Sequence, residues 1–481
     1  MTSERSFQGG WAALQLVRNA SRPLADQLAS ELALRIQRYG LRPGTRLPSI
    51  RHLASLLHIS RFTVVESYER LVAAGLVSAR PGSGFFVRPA LTNGAGVRTA
   101  AKASAGPPSR VDVSWLLRSM FAEGSAPGMP GGGVLPADWL DPEMVAAAVR
   151  AVGRSARSAL TGYGSQRGFA LLRYEIALRL QEDGIAAHGD ENLLTTAGVT
   201  HALDLLMRHL VQPGDVVFVE DPAWFVIFAR LAAFGARVIG IPRGPQGPDV
   251  TVLETLAEQH RPKLFLINAA VHNPTGHSLS RGVAEDVLRV AARFDFLVVD
   301  DDTYGELHPG NPVRLAALDG LQRVVQVGGY SKTLAGSLRV GYLAGSADLI
   351  QRLADLKALT GLTTPELGER VVHRVLADGQ YRRHVERVRR RVDAARHECL
   401  AKLSRVGVQV AHEPYAGMFV WGDCGRDTEA LALEAAARGL LLAPATLFSP
   451  DQRASSIMRF SVPMVDNKEA WKTLGALMRA P

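Results

Sequence analysis

Four short apolar runs set the tightest limit on how this chain can fold. VVFVED (216–221), LFLINAA (264–270), FLVVDDD (296–302) and VVQVGGYSK (324–332) have the length and unbroken apolarity of strands buried on both faces. Helix-length stretches separate them, so the chain from about Gly131 onward predicts an α/β body with a mainly parallel sheet. In such sheets ligands bind beyond the carboxyl ends of the strands. The polar residues that end the runs are therefore the candidates for chemistry.

Those residues form one set. Lys332 follows the last run, and its amine can form a Schiff base with an aldehyde such as pyridoxal phosphate. Ser331 beside it and Arg339 seven residues on can reach the cofactor phosphate. Asp301, in the acidic end of another run, can hold a pyridinium nitrogen protonated. Tyr304 and Asn273, the latter in HNPTG, can bond the phenolic oxygen. Gly198-Val199-Thr200 opens the helix ALDLLMRHL, whose free N–H groups suit a phosphate. Trp224 in EDPAW can stack on the pyridine ring. Each of these residues alone is more often turn, cap or core; their order at successive strand ends outweighs that reading.

The basic charge lies elsewhere. The chain's net charge is +9. Residues 1–90 carry 12 Arg, no Lys and 5 acids, a net of +7, and residues 91–110 add +3. The remainder is nearly neutral, so an anionic partner is expected at the amino-terminal quarter. There, residues 21–88 predict three short helices and a hairpin. Leu24, Leu28, Leu32 and Ile36 recur every four residues in a helix opening near Ser21 and Pro23 and stopped by Gly40, with a turn at Arg42-Pro43-Gly44. Ser49 and Ser60 have N-cap positions for two further helices, and Gly75 ends the last. Val77–Arg80 and Phe85–Val87 flank the turn signal Pro81-Gly82-Ser83-Gly84.

That is a winged helix-turn-helix, whose helix after the turn enters the major groove. Ser60, Arg61 and Thr63 stand at its start. Arg61 can pair bidentately with guanine, while Ser60 and Thr63 can bond phosphate or base. Arg51, Arg80 and the wing Ser83-Gly84 are placed for the DNA backbone. The segment LRPGTRLPSIRHLASLLHISRFTVVESYERLVAAGLVSARPGSGFFV resembles the GntR-type winged-helix domain almost end to end. The resemblance assigns the DNA contacts to Arg51, Ser60, Arg61, Thr63, Ser83 and Gly84.

The expected organisation is a reader over residues 14–90, a flexible basic tether over 91–128 and a body over 129–481. The tether is rich in Ala, Gly, Pro and Ser, although VDVSWLLRSMF within it can form a helical turn docked on a neighbour. YRRHVERVRRR (381–391) places Val385, Val388 and Val392 at helical spacing, so it reads as an amphipathic helix with a solvated arginine face. Only two cysteines occur, Cys399 and Cys424, without metal-ligand spacing, and no apolar leader or membrane span is visible. A cytoplasmic protein is expected.

The body resembles the fold type I aminotransferases over roughly residues 130–475. The match runs from YGSQRG through TAG, EDPAW, NPTG, DD-x-Y and SKTL-x-x-x-LR-x-GYL to MRFSV. The resemblance implies that Lys332 is the Schiff-base lysine, Asp301 the partner of the pyridine nitrogen, and Tyr304 and Asn273 the phenolate partners. It also implies that Tyr163 reaches the phosphate of the other subunit of a homodimer and that Arg459 clamps a carboxylate. Gly329 departs from the pattern, since many relatives have a phosphate-binding hydroxyl there. A GntR-type winged helix tethered to an aminotransferase-like body resembles the MocR (GabR-like) transcriptional regulators. The implied function is operator binding modulated by pyridoxal phosphate, or by an amine or amino acid that takes over the Schiff base at Lys332, without sustained turnover. The alternative is an active aminotransferase carrying an autoregulatory winged helix.

Overall fold

The computed structural model describes Leu16 and residues 23–38, 44–80, 83–87, 111–121, 128–156 and 160–479. Ser21, Gly40, Arg42, Pro43, Pro81, Gly82 and, around and within the tether, residues 88–110 and 122–127 lie outside the described residues. The chain divides into two compact units, residues 1–105 and 106–481.

In the first unit, α1 (Leu24–Arg38), α2 (Ile50–Leu56) and α3 (Arg61–Ala73) precede a hairpin of β1 (Val77–Arg80) and β2 (Gly84–Val87). Ser49 and Ser60 cap α2 and α3 as their positions predict, accepting from the N–H groups of His52 and Thr63. Leu28 and Leu32 of α1, Leu53 of α2, and Val64, Tyr68 and Leu71 of α3 form one core with Val77 and Val87. The hairpin has a third edge: Leu47 donates to the Phe85 carbonyl at 2.8 Å and Val87 to that of Thr45 at 2.9 Å.

In the second unit, α4 (Val113–Met120) comes first, followed by α5 (Pro142–Ser155), α6 (Ala170–Glu182) and α7 (Val199–Leu210). The sheet is built from β3 (Leu193–Thr196), β4 (Val216–Asp221), β5 (Arg237–Gly244), β6 (Gly247–Pro248), β7 (Leu264–Ile267), β8 (Leu297–Asp301), β9 (Val324–Gly329) and β10 (Gly341–Ala344). Their spatial order is β3-β10-β9-β8-β7-β4-β5-β6. The four apolar runs are β4, β7, β8 and β9, and they pair in parallel. Strand β10 runs against both β9 and β3. It follows that β3 points the same way as β9, and that the chain enters β10 at the edge where the parallel strands end.

A smaller antiparallel sheet follows, β11 (Phe419–Asp423), β12 (Ala443–Pro444) and β13 (Ile457–Ser461), with β13 in the middle. The basic run lies in a 26-residue helix, Gln380–Arg405, with Val385, Val388 and Val392 buried. Arg387 and Arg391 on its outer face pair with Asp141 and Asp138. The run VDVSWLLRSMF is helical as α4, and Leu116 is buried in the core beneath the smaller sheet, together with Tyr304, Phe419 and Phe448. Both cysteines are free and buried. No helix among the described residues is long and apolar enough to cross a membrane.

Candidate functional site

The carboxyl ends of the strands open on a cavity of about 620 Å³. Trp224 beyond β4, Asn273 beyond β7, Asp301 and Tyr304 at the end of β8, and Ser331 and Lys332 beyond β9 all line it. Val199 and Thr200 line it from the first turn of α7, and Arg339 from the loop entering β10. Gly198 caps α7 at φ 84°, a conformation that favours glycine. A Cβ there would lie 2.5 Å from an Arg339 guanidinium nitrogen. Arg339 donates to the Ala197 carbonyl at 3.0 Å and to Ser331 Oγ at 3.3 Å, which draws Ser331, Arg339 and the α7 terminus together.

Of three consecutive aspartates, only Asp301 lines the cavity. Asp300 accepts from the Ala269 N–H at 3.0 Å, and Asp302 is paired with Arg314. The Asp301 carboxylate accepts from the N–H and hydroxyl of Thr303, and burial raises its pKa against those bonds and the nearby Lys332. The Lys332 ammonium donates to the Gly133 carbonyl at 2.6 Å. Burial, with Arg459 adding repulsion, lowers its pKa to about 8. Tyr304 is buried against Phe419 with ring centroids 5.4 Å apart, and the loss of solvent raises its pKa.

Arg459 sits at the centre of β13, 1% exposed. Its guanidinium donates to Asn273 Oδ1 at 3.2 Å and to the carbonyls of Gly131 and Gly132 at 2.8 and 2.7 Å. The Phe419 ring lies 4.4 Å from its central carbon. Its Nε has no partner, and no carboxylate pairs with it among the described residues. Burial pushes its pKa down to about 10. A buried cation held only by neutral groups is costly. It is therefore suited to an incoming carboxylate.

Of the predicted cofactor residues, Gly198 and Tyr163 do not line this cavity: Gly198 sits at its edge as the cap of α7, against Arg339, whereas Tyr163 stands apart, 84% exposed. Gly329 lines the cavity, and a Cβ there would lie 3.2 Å from both Val199 Cγ2 and the Val340 carbonyl. The missing hydroxyl therefore goes with a packing constraint. Three contributors to the site carry no motif: Thr303, the glycine carbonyls at 131–133, and Asn268, which donates to the Asp301 carbonyl and accepts from the Asn273 N–H. Asn268 ends the run LFLIN, so its position did carry a signal.

In the first unit Arg51, Ser60, Arg61, Arg80 and Ser83 are exposed. The hydroxyls of Ser60 and Thr63 lie 2.8 Å apart at the start of α3. Arg80 stacks over Phe86 at 4.7 Å. Arg46, absent from the predicted contacts, reaches the wing: its Nε lies 3.3 Å from where a Gly84 Cβ would be.

The chain matches the family "Aminotransferase class I and II" over residues 133–477 and "Bacterial regulatory proteins, gntR family" over residues 24–87. It is 27% identical to the uncharacterized HTH-type transcriptional regulator YdcR of Escherichia coli (strain K12), across 95% of this chain and 98% of that one. It is 30% identical to a 2-aminoadipate transaminase of Thermus thermophilus, across 72% and 88% of the two chains. The crystal structure of LysN, an alpha-aminoadipate aminotransferase also from Thermus thermophilus, complexed with N-(5'-phosphopyridoxyl)-L-leucine, superposes with a TM-score of 0.67. That match is at 26% identity and covers 78% of this chain and 96% of the other. This chain belongs to the class I and II aminotransferases and carries that fold behind a gntR-family winged helix, the MocR-like architecture.

Proposed function

We propose that this protein is a DNA-binding transcriptional regulator whose grip on its operator depends on what occupies the cavity of the second unit. The observation that carries the reading is a full set of cofactor and carboxylate groups in the same chain as an exposed Arg61 at a capped recognition-helix start.

The cofactor is pyridoxal phosphate, which supplies an aldehyde for a primary amine and a ring that withdraws electrons from the bonded carbon. The residues present fit it. Lys332 offers an amine whose proton is more easily lost than that of an ordinary lysine. Asp301 offers a buried carboxylate for the ring nitrogen, and Tyr304 and Asn273 offer polar groups for the phenolic oxygen. Trp224 supplies a flat face. The α7 terminus, Ser331 and Arg339 gather donors for the phosphate, since first-turn N–H groups have no partner within their helix. Arg459 is left for the carboxylate of a ligand.

A homodimer is part of the reading. Leu359 (86% exposed), Leu362 (58%) and Leu178 (57%) leave large apolar side chains uncovered on this unit, along with Tyr163. Gly164, beside Tyr163, lies against Glu366 near Leu362. In the proposed dimer, Tyr163 would reach the partner's phosphate site. Sedimentation should find a dimer.

Ligand states that hold the dimer differently would alter how the two winged helices meet their half-sites, which is coupling between two sites. Titrating operator binding against pyridoxal phosphate and a panel of amines tests this. An affinity indifferent to all of them sinks the regulatory reading, and sustained turnover with a keto acid would return the protein to the enzymes.

A further inference from the structure

One apolar wall of the cavity comes from the start of the second unit. Leu117 and Met120 of α4, then Phe121 and Val134, line it. Met120 reaches the Arg459 end: a Cβ on Gly133 would lie 3.4 Å from Met120 Cε and 4.0 Å from an Arg459 nitrogen. This wall carries no charge. Arg118, the basic residue of α4, does not line the cavity.

The charged groups that do line the cavity are already accounted for. Of the cations, Lys332 is committed to the aldehyde, Arg339 gathers with Ser331 beside the α7 terminus, and Arg230 is paired with Asp204 at 3.1 Å. Arg459 remains, with room for one carboxylate. Of the acids, Glu220 is paired with the buried Arg243 and accepts from the Asn268 N–H, and Asp301 is held by Thr303. A second charge on a ligand would lose water against this wall without gaining a partner there, which is costly. An apolar body would fill the wall and displace water from it.

We infer that the ligand is an α-amino acid with a large apolar side chain, aliphatic or aromatic, whose carboxylate lies on Arg459 and whose side chain is read by Leu117, Met120 and Val134. This rests on the reading above that the cavity takes an amine ligand beside the cofactor. The specificity wall then belongs to the first helix after the tether, so what selects the ligand is also what leads toward the winged helix in the chain.

The test is a titration of the pyridoxal phosphate-loaded full-length protein with L-leucine, L-phenylalanine, L-alanine, L-glutamate, β-alanine and taurine. Cofactor absorbance and the shift in Tm are read for each. L-leucine and L-phenylalanine should half-saturate at concentrations at least about tenfold below L-alanine, since each methylene lost from an apolar pocket costs roughly tenfold or more. Met120→Ala should raise the half-saturation for L-phenylalanine severalfold and leave that for L-alanine in place, with cofactor absorbance reporting an intact site. A response led by L-glutamate, β-alanine or taurine overturns the ligand class alone. No response to any amine overturns the underlying reading of the cavity. A loss in Met120→Ala shared equally by L-alanine and L-phenylalanine overturns the assignment of the side chain to this wall.

Discussion

Arg459 reaches across more than three hundred residues of sequence to donate a hydrogen bond to the Gly131 carbonyl at 2.8 Å. With the Gly132 carbonyl and Asn273 Oδ1, that bond holds a buried guanidinium without any carboxylate among the described residues. A carboxylate ligand must displace neutral acceptors, and it offers a charge-assisted, two-point bond in return. Arg459→Lys keeps the charge and loses the fork. It should weaken L-leucine by about 1.5–3 kcal/mol, the size of one hydrogen bond to a charged group. Isoamylamine, which has the same side chain and no carboxylate, should be unaffected. Paired titrations of cofactor absorbance separate the two.

The depressed pKa of Lys332 sets a pH window. The neutral amine is the form that bonds to the cofactor, so capture by the apoprotein should accelerate as pH rises through about 8 and then level off. An ordinary lysine would keep gaining toward 10.5. The sign for stability follows. Between about 8 and 10.5 the unfolded chain holds this proton and the folded one has lost it, so this residue makes apoprotein stability rise with pH across that window. Lys332→Met should remove that rise and abolish the visible band of the lysine-bound cofactor. Stopped-flow absorbance and denaturant titrations at several pH values measure both.

In the winged helix, Arg61 is exposed at the capped start of α3. Arg61→Ala should weaken binding to the specific operator by about 1–3 kcal/mol and relax preference at one base pair. Arg80→Ala should weaken all DNA alike and lower the salt slope by about 1, as for a phosphate contact. Both should leave cofactor absorbance unchanged. Binding isotherms across a salt series distinguish base reading from backbone contact.

Glu369 is 2% exposed and accepts from the Phe169 N–H and the Thr195 hydroxyl, each at 2.6 Å, and from Thr364. It thereby fixes the start of α6, just after the segment that carries Tyr163. Glu369→Ala strands several buried donors together with the nearby Lys357 ammonium, and should cost about 3–5 kcal/mol of stability. Denaturant midpoints measure the loss, and cofactor affinity should fall with it if Tyr163 is displaced.

The sheet and its ligand edge were legible because a strand buried on both faces leaves an unbroken apolar run, and the residue ending it is exposed to whatever lies beyond. Lys332, Asp301 and Tyr304 stand out on that logic. Arg459 does not: it lies on a strand of the smaller sheet, and only the resemblance of MRFSV singled it out. The carbonyls of Gly131 and Gly132 were invisible because a backbone acceptor has no residue signature, and three glycines read as loop. Helix α4 was legible as a docking helical turn in VDVSWLLRSMF, although the Ala, Gly, Pro and Ser around it spoke for a tether and gave no sign of the core it joins. Arg46 was passed over because its segment reads as a turn, whereas its backbone completes the wing.

Strand β10, running against its neighbours, has a consequence for how any signal leaves the cavity. Tyr330 donates to the Val340 carbonyl at 3.2 Å, closing the neck of the loop between β9 and β10. Lys332 and Arg339 are thus carried on one hairpin between paired strands and form a fixed jaw. The opposing jaw is the stretch through Gly132 and Gly133 into Val134, whose two glycine carbonyls are gripped by Arg459 and Lys332. In the function proposed above, cofactor and ligand would call on those same two donors. On the proposed reading, filling the cavity would free the glycine carbonyls that Arg459 and Lys332 now hold, so until a ligand arrives the chain's own backbone stands in its place.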